Sequence, residues 1–273
     1  MRDRTEDLLL VLPGLLLLAL AYFLPIAQML ALSVSGDAGL TTAHFQRFLG
    51  DAFYLGVLWR TVRLSLLITL LCVLLGFPYA YLMARVGPRL RMWLLVAVIL
   101  PLMTSVVVRT FGWMVLLSRN GPLSQWVRDL GWAERGFQFM HTESAIVVAM
   151  VQVLLPFMVL SILGVLGRID ARLEEAARTM GCSFLDALRS VVLPLSLPGI
   201  VAGSLLTCTL SASSFITPSL MGGARIQMLA GSVYKSVTQT LEWPFAAAQA
   251  VVLFVGVLLV LAPYARLTSV RHG

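Results

Sequence analysis

Charge is scarce in this sequence, and so are cysteine and histidine. Only 12% of the 273 residues are charged, whereas 59% are hydrophobic, and the mean hydropathy is +0.91. A chain of this length cannot hide so much apolar surface inside a water-soluble core, so lipid must serve as part of its solvent. Cys72, Cys182 and Cys208 lie far apart with no C-x-x-C spacing, and His44, His141 and His272 are equally scattered. That distribution argues against a disulfide framework and against a metal site. The chain also lacks a G-x-S-x-G elbow, an H-E-x-x-H helix and a phosphate-cradling glycine loop. Nucleophilic hydrolysis, metal-assisted hydrolysis and ATP hydrolysis are therefore without visible apparatus, and the chain reads as a non-enzyme. No internal repeat and no linker divides residues 1–273, which read as a single domain.

Six apolar stretches are present, over 8–32, 64–84, 92–117, 144–167, 199–223 and 245–265. Each holds about 20 or more residues with hardly a charge, enough to cross ~30 Å of hydrocarbon at ~1.5 Å per residue. The expected fold is all-α and polytopic, with about six transmembrane helices. The first stretch is too long for the apolar region of a secretory signal, and its head mixes Asp3, Glu6 and Asp7 with Arg2 and Arg4; it reads as a retained span. Prolines 25, 78, 101, 156 and 218 fall inside spans, where they remove helical hydrogen bonds and permit kinks.

The net charge of +7 is distributed between the apolar stretches, not gathered on a nucleic-acid-binding face. With six spans both termini lie on one side. That side carries Arg2, Arg4, Arg85, Arg89, Arg91, Arg168, Arg172, Arg178, Arg189, Arg266 and Arg271. The other carries Arg47, Arg60, Arg63, Arg119, Arg128, Arg135, Arg225 and Lys235. The first set is larger and sits in shorter segments, so the termini are expected to be cytoplasmic.

One cytoplasmic loop, 168–198, is long and amphipathic. Asp170 is placed to cap a short helix through Leu173, Glu174, Glu175, Ala176, Ala177 and Met180, and Gly181 supplies a left-handed stop. Ser183 and Asp186 form an S-x-x-D cap for a second helix bearing Leu185, Leu188, Val191 and Val192, which Pro194 is expected to end. An exposed helix pair with an apolar stripe reads as a docking element.

The spacing within this loop carries a family resemblance. Glu175-Ala176-Ala177, then Gly181, Val191 and Leu193-Pro194 is similar to the E-A-A, G, I, L-P signature of membrane subunits of binding-protein-dependent ABC importers, with Val191 in place of the usual Ile. The resemblance implies that 168–198 is the coupling-helix loop, seated in a groove of a cytoplasmic ATPase. Glu175 would pair with a basic residue there, Ala176 and Ala177 would permit close approach, and Gly181 would set the bend. It further implies two ATPase subunits that bind ATP and Mg, no cofactor on this chain, a second permease that is a related but distinct chain, an extracytoplasmic solute-binding protein, and residence in a bacterial inner membrane.

Other stretches resemble the spermidine/putrescine permease group: Arg109-Thr110-Phe111-Gly112-Trp113, Leu155-Pro156-Phe157-Met158, Leu197 through Gly203, and Glu242-Trp243-Pro244-Phe245. A polyamine is the solute this implies. Permeases for aminophosphonates or opines share these stretches and remain the alternative, with an ion-coupled secondary transporter more distant. Arg109 is the only charge inside a window, a candidate gate or helix-pairing residue. Trp113, Ser213, Ser214 and Thr217 are candidate pathway residues, the last three on a polar face of the fifth span. Glu242 and Trp243 form a carboxylate-indole pair suited to attract an ammonium group, or else to face water and anchor the interface.

Overall fold

The structure, a computed structural model, describes residues 4–36, 39–131, 139–223 and 225–269, with side chains described between positions 12 and 259. Arg2, Asp3, Arg135, Arg271 and His272 lie outside the described residues, as do the side chains of Arg4, Glu6, Asp7 and Arg266. The chain is helical nearly throughout, as expected. Helix α1 (Arg4–Ser33) leads through a minimal hairpin, β1 (Ser35–Gly36) and β2 (Gly39–Leu40), into the short α2 (Ala43–Gly50) and the long α3 (Ala52–Arg85). Next come α4 (Pro88–Ile99), a 3-10 turn (Leu100–Met103), α5 (Val106–Leu117), α6 (Pro122–Asp129) and α7 (Glu143–Leu166). The second half runs α8 (Ala171–Thr179), α9 (Phe184–Ala187), a π-turn (Leu188–Val192), α10 (Leu193–Ala212), α11 (Ile216–Gly222), α12 (Leu229–Thr238) and α13 (Trp243–Ser269).

Among the described residues four continuous segments are long and apolar enough to span a membrane: Leu12–Ser33, Ala52–Arg85, Glu143–Leu166 and Phe184–Ala212. Helix α13 is apolar from Trp243 through Leu259, as far as its side chains are described. Helix α3 begins at Ala52, well before the window at 64, because Asp51 caps it by accepting a hydrogen bond from the Phe53 amide at 2.8 Å. Its 34 residues give ~51 Å at ~1.5 Å per residue, so a good part of it lies outside the hydrocarbon.

The window at 92–117 is not one helix. Pro88–Met103 and Val106–Asp129 meet at 98°, with Pro101 in the 3-10 turn and Thr104 extended. Proline cannot supply the amide that would carry α4 onward. The window at 199–223 also breaks, between Ala212 and Ile216, and the membrane-length helix lies N-terminal to it, over Phe184–Ala212. Pro194 does not end the helix there. The π-turn bonds the Leu193 amide back to the Leu188 carbonyl, a five-residue step that adds a bulge just before the proline and lets the helix continue past it.

Helix α7 is the axis of the bundle, flanked by α3 and α10. Its Ile146, Met150, Met158, Ile162 and Leu166 are fully enclosed, facing Leu64, Ile68, Cys72, Ala80 and Met83 of α3. In lipid such contacts hold through close packing, because apolar side chains gain little by leaving an apolar solvent. The α7–α10 contact is correspondingly tight. A Cβ at Gly199 would lie 3.0 Å from the Ser161 carbonyl, and one at Gly203 would lie 2.7 Å from Met158 Sδ. Glycines four apart on one helix face let the two backbones approach.

Candidate functional site: the loop between α7 and α10

Helix α8 is built from its ends inward. Asp170 accepts a hydrogen bond from the Arg172 amide at 2.9 Å, Glu174 lies in the first turn and Arg178 in the last, so both charges suit the helix dipole. At the other end the Gly181 amide bonds to the Arg178 carbonyl at 3.0 Å and the Cys182 amide to the Ala177 carbonyl at 3.2 Å. This is a Schellman closure, and it places Gly181 at φ +96°, where a side chain is strained whatever room surrounds it. Ser183 then caps α9, accepting from the Asp186 amide at 3.2 Å while donating to the Asp186 carboxylate. The elbow and both caps expected from the sequence are present.

The loop residues divide by exposure. Glu175, Ala176 and Gly181 face outward, together with the apolar Leu173, Met180, Phe184 and Leu185, whereas Ala177 and Ala187 are buried. Val191 and Pro194 are half-buried in the root of α10, with Leu193 exposed beside them. Thus the Glu-Ala-Ala part of the motif, less Ala177, and the elbow form an outward face, while the Val and Leu-Pro part joins that face to the membrane helix.

A residue that sequence reasoning left without a role lies behind this face. Glu174 is the one charged side chain among the described residues that is buried. Tyr81 Oη donates to its Oε1 at 2.6 Å and Arg85 Nε donates to its Oε2 at 3.1 Å. The available signal is the i, i+3 spacing from Ala177 on the inward side of α8; in the charge distribution Arg85 reads only as an orientation charge.

The candidate pathway residues fall into two groups. Arg109 and Trp113 lie one turn apart on α5. Among the described residues Arg109 Nε and Nη1 are enclosed without a hydrogen-bond partner, and Trp113 Nε1 donates to Gln152 Oε1 of α7 at 3.4 Å. Thr217 is buried and hydrogen-bonded to Thr110 at 3.0 Å, so it joins α11 to α5. Ser213 and Ser214 sit in the break after α10, where Ser213 Oγ donates to the Thr209 carbonyl at 2.8 Å and Ser214 Oγ to Met150 Sδ at 3.5 Å. They do not form one helical polar face, because the helix stops between them and Thr217.

The second group is at the start of α13. Arg47 Nη1 donates to both carboxylate oxygens of Glu242 at 3.1 Å, and its Cζ lies 4.3 Å from the centre of the Phe245 ring. The hydrogen bond to Glu242 holds the Arg47 guanidinium above its ordinary pKa. Trp243 is exposed. Glu242 is therefore engaged by an arginine of α2, a partner that sequence reasoning did not foresee. Arg60 and Arg63 likewise pair with Glu143 at the start of α7, and Arg60 also reaches the Gln227 carbonyl at 3.4 Å.

A bundle of membrane-length helices with a doubly capped helix pair projecting from it defines a polytopic membrane protein whose α7–α10 loop presents exposed apolar and acidic side chains. Residues 76–268 match the family described as the binding-protein-dependent transport system inner membrane component, and the chain belongs to that family. It is 35% identical over 217 residues to the spermidine/putrescine transport system permease protein PotB of Haemophilus influenzae, covering 79% of this chain and 76% of the relative. The PotB of Escherichia coli K12 is 35% identical over 227 residues, covering 83% and 82%. Among solved structures, a chain of a bacterial alginate ABC transporter in complex with an alginate pentasaccharide-bound periplasmic protein superposes with a TM-score of 0.77 at 20% identity, over 98% of this chain and 97% of that one. The chain is thus a multi-pass inner-membrane permease of an ABC importer, a transport subunit and not an enzyme.

Proposed function

We propose that this permease carries a polyamine, spermidine or putrescine, into the cell. The observation that carries the importer mechanism is the outward face of α8 and the Gly181 elbow, where Glu175 and Ala176 stand exposed beside Leu173 and Met180. On this reading the face seats in an ATPase subunit, with Glu175 opposite a basic residue. Two ATPase subunits bind ATP and Mg, a related but distinct permease completes the pathway, and a solute-binding protein delivers the cargo from outside. The loop and both termini face the cytoplasm, as Arg85 at the end of α3 and Arg89 and Arg91 in the first turn of α4 favour. ATP binding and the loaded binding protein then bias the bundle between inward- and outward-open states.

The polyamine assignment rests on the 35% identity to the two PotB proteins over most of the chain. A second reading, another small solute such as an aminophosphonate or opine, is favoured by one observation: Glu242, the acid suited to greet a cation, is already paired with Arg47. Uptake of spermidine, putrescine and an aminophosphonate by the reconstituted complex, with its own binding protein, separates the two. Saturable ATP-dependent uptake of a polyamine is expected. Movement of the phosphonate alone overturns the polyamine assignment.

A further inference from the structure

Glu174 costs the fold something, because a buried carboxylate must be fully compensated to be tolerated. Its side chain is only 11% exposed, and both compensating donors come from the last turns of α3, four residues apart on one face. Tyr81 also meets Phe184 of α9 edge-on, with ring centroids 6.2 Å apart, and the Arg85 guanidinium lies 5.7 Å from the Tyr81 ring. Two residues of one membrane helix therefore grip both short helices, one on each side of the Gly181 elbow. At its other end α3 is tied again: Thr61 Oγ1 accepts the Leu229 amide at 2.8 Å, and Arg60 and Arg63 pair with Glu143.

We infer that Glu174 is a positioning residue that latches the docking loop to α3 through Tyr81 and Arg85, so that displacement of α8 by the ATPase is passed along α3 to its far end. This rests on the coupling reading of the loop and adds to it a division of labour: Glu175 faces the motor, and its neighbour Glu174 holds the lever. The second helix already runs through the π-turn into α10; the carboxylate held by two donors, with an aromatic contact on that second helix, gives α8 a separate connection, into α3.

The test uses the assembled transporter in liposomes, with cysteines 72, 182 and 208 replaced by alanine and spin labels at Trp59 and Trp126, both exposed. In the parent, the distance between labels is expected to shift on adding ATP and vanadate. Glu174→Gln and Tyr81→Phe are expected to keep the parental amount of bound ATPase subunit and to lose that shift. Tyr81→Phe retains the ring and so guards against a Glu174 variant that fails to fold. Glu175→Lys is expected to lose the ATPase subunit itself. A parental shift in both Glu174→Gln and Tyr81→Phe overturns the latch, as does a parent that shows no shift. Loss of the ATPase subunit from Glu174→Gln also overturns it, since that would put Glu174 in the docking face. Full retention by Glu175→Lys counts instead against the docking reading, leaving the latch to be decided by its own two variants.

Discussion

At the residue scale, Glu174 and Glu175 differ by one position and by about 100° around α8, and that rotation separates a buried side chain from an exposed one. The motif spacing made Glu175, Ala176 and Gly181 legible, because the caps and the left-handed stop are local chemistry. Glu174 was not legible, since its partners are Tyr81 and Arg85, far away in the chain, and no periodicity announces a long-range pair. The same holds for Glu242, whose nearness to Trp243 suggested a cation-attracting mouth while Arg47 occupied its carboxylate. That pair is about half exposed, so it contributes no more than ~1 kcal/mol. Because the folded-state pKa of Arg47 is raised, the contribution is complete at neutral pH and, on the alkaline side, is lost as strong alkali titrates the guanidinium. Glu242→Gln is therefore expected to lower stability by at most ~1 kcal/mol, with no change in that difference between about pH 6 and 9, as thermal unfolding in detergent would read.

At the element scale, hydropathy located every apolar stretch but not the joints within them. A window average is blind to a single missing amide, so the 98° turn after Pro101 and the stop after Ala212 passed as continuous spans. Pro194 is the opposite case: a proline after a short amphipathic helix reads as a terminator, and the π-turn carries the helix onward. Prolines at 25, 78 and 156 sit inside unbroken helices, so proline alone did not distinguish a joint from a tolerated kink. The α7–α10 seam was written more plainly, in Gly199 and Gly203. Gly203→Leu places carbon against Met158, where an added Cβ already comes within 2.7 Å of sulfur. It is expected to cost at least ~2 kcal/mol and to reduce folded protein recovered from membranes, whereas Gly256→Leu, at a site with open space around it, is expected to be tolerated.

At the scale of the whole molecule, the orientation rests on arginine distribution and has a direct check. Single cysteines at Ser183 and at Trp126, both exposed, are expected to label from opposite sides, Ser183 only after the membrane is opened. Labelling of Ser183 in intact cells reverses the topology. The membrane bundle is legible from composition alone, whereas the permease family is legible in one loop, because apolar spans are generic and the spacing of Glu175-Ala176-Ala177, Gly181 and Leu193-Pro194 is not. That loop is therefore where the decisive measurement lies: ATP-driven spermidine uptake by the reconstituted complex carrying Glu175→Lys or Gly181→Leu. The first reverses the charge of the outward face, and the second forces a side chain onto φ +96°. Each is expected to leave the subunit inserted at parental levels while uptake falls on the order of tenfold or more. Parental uptake by both variants would contradict the assignment of this loop as the point where ATP hydrolysis is coupled to transport.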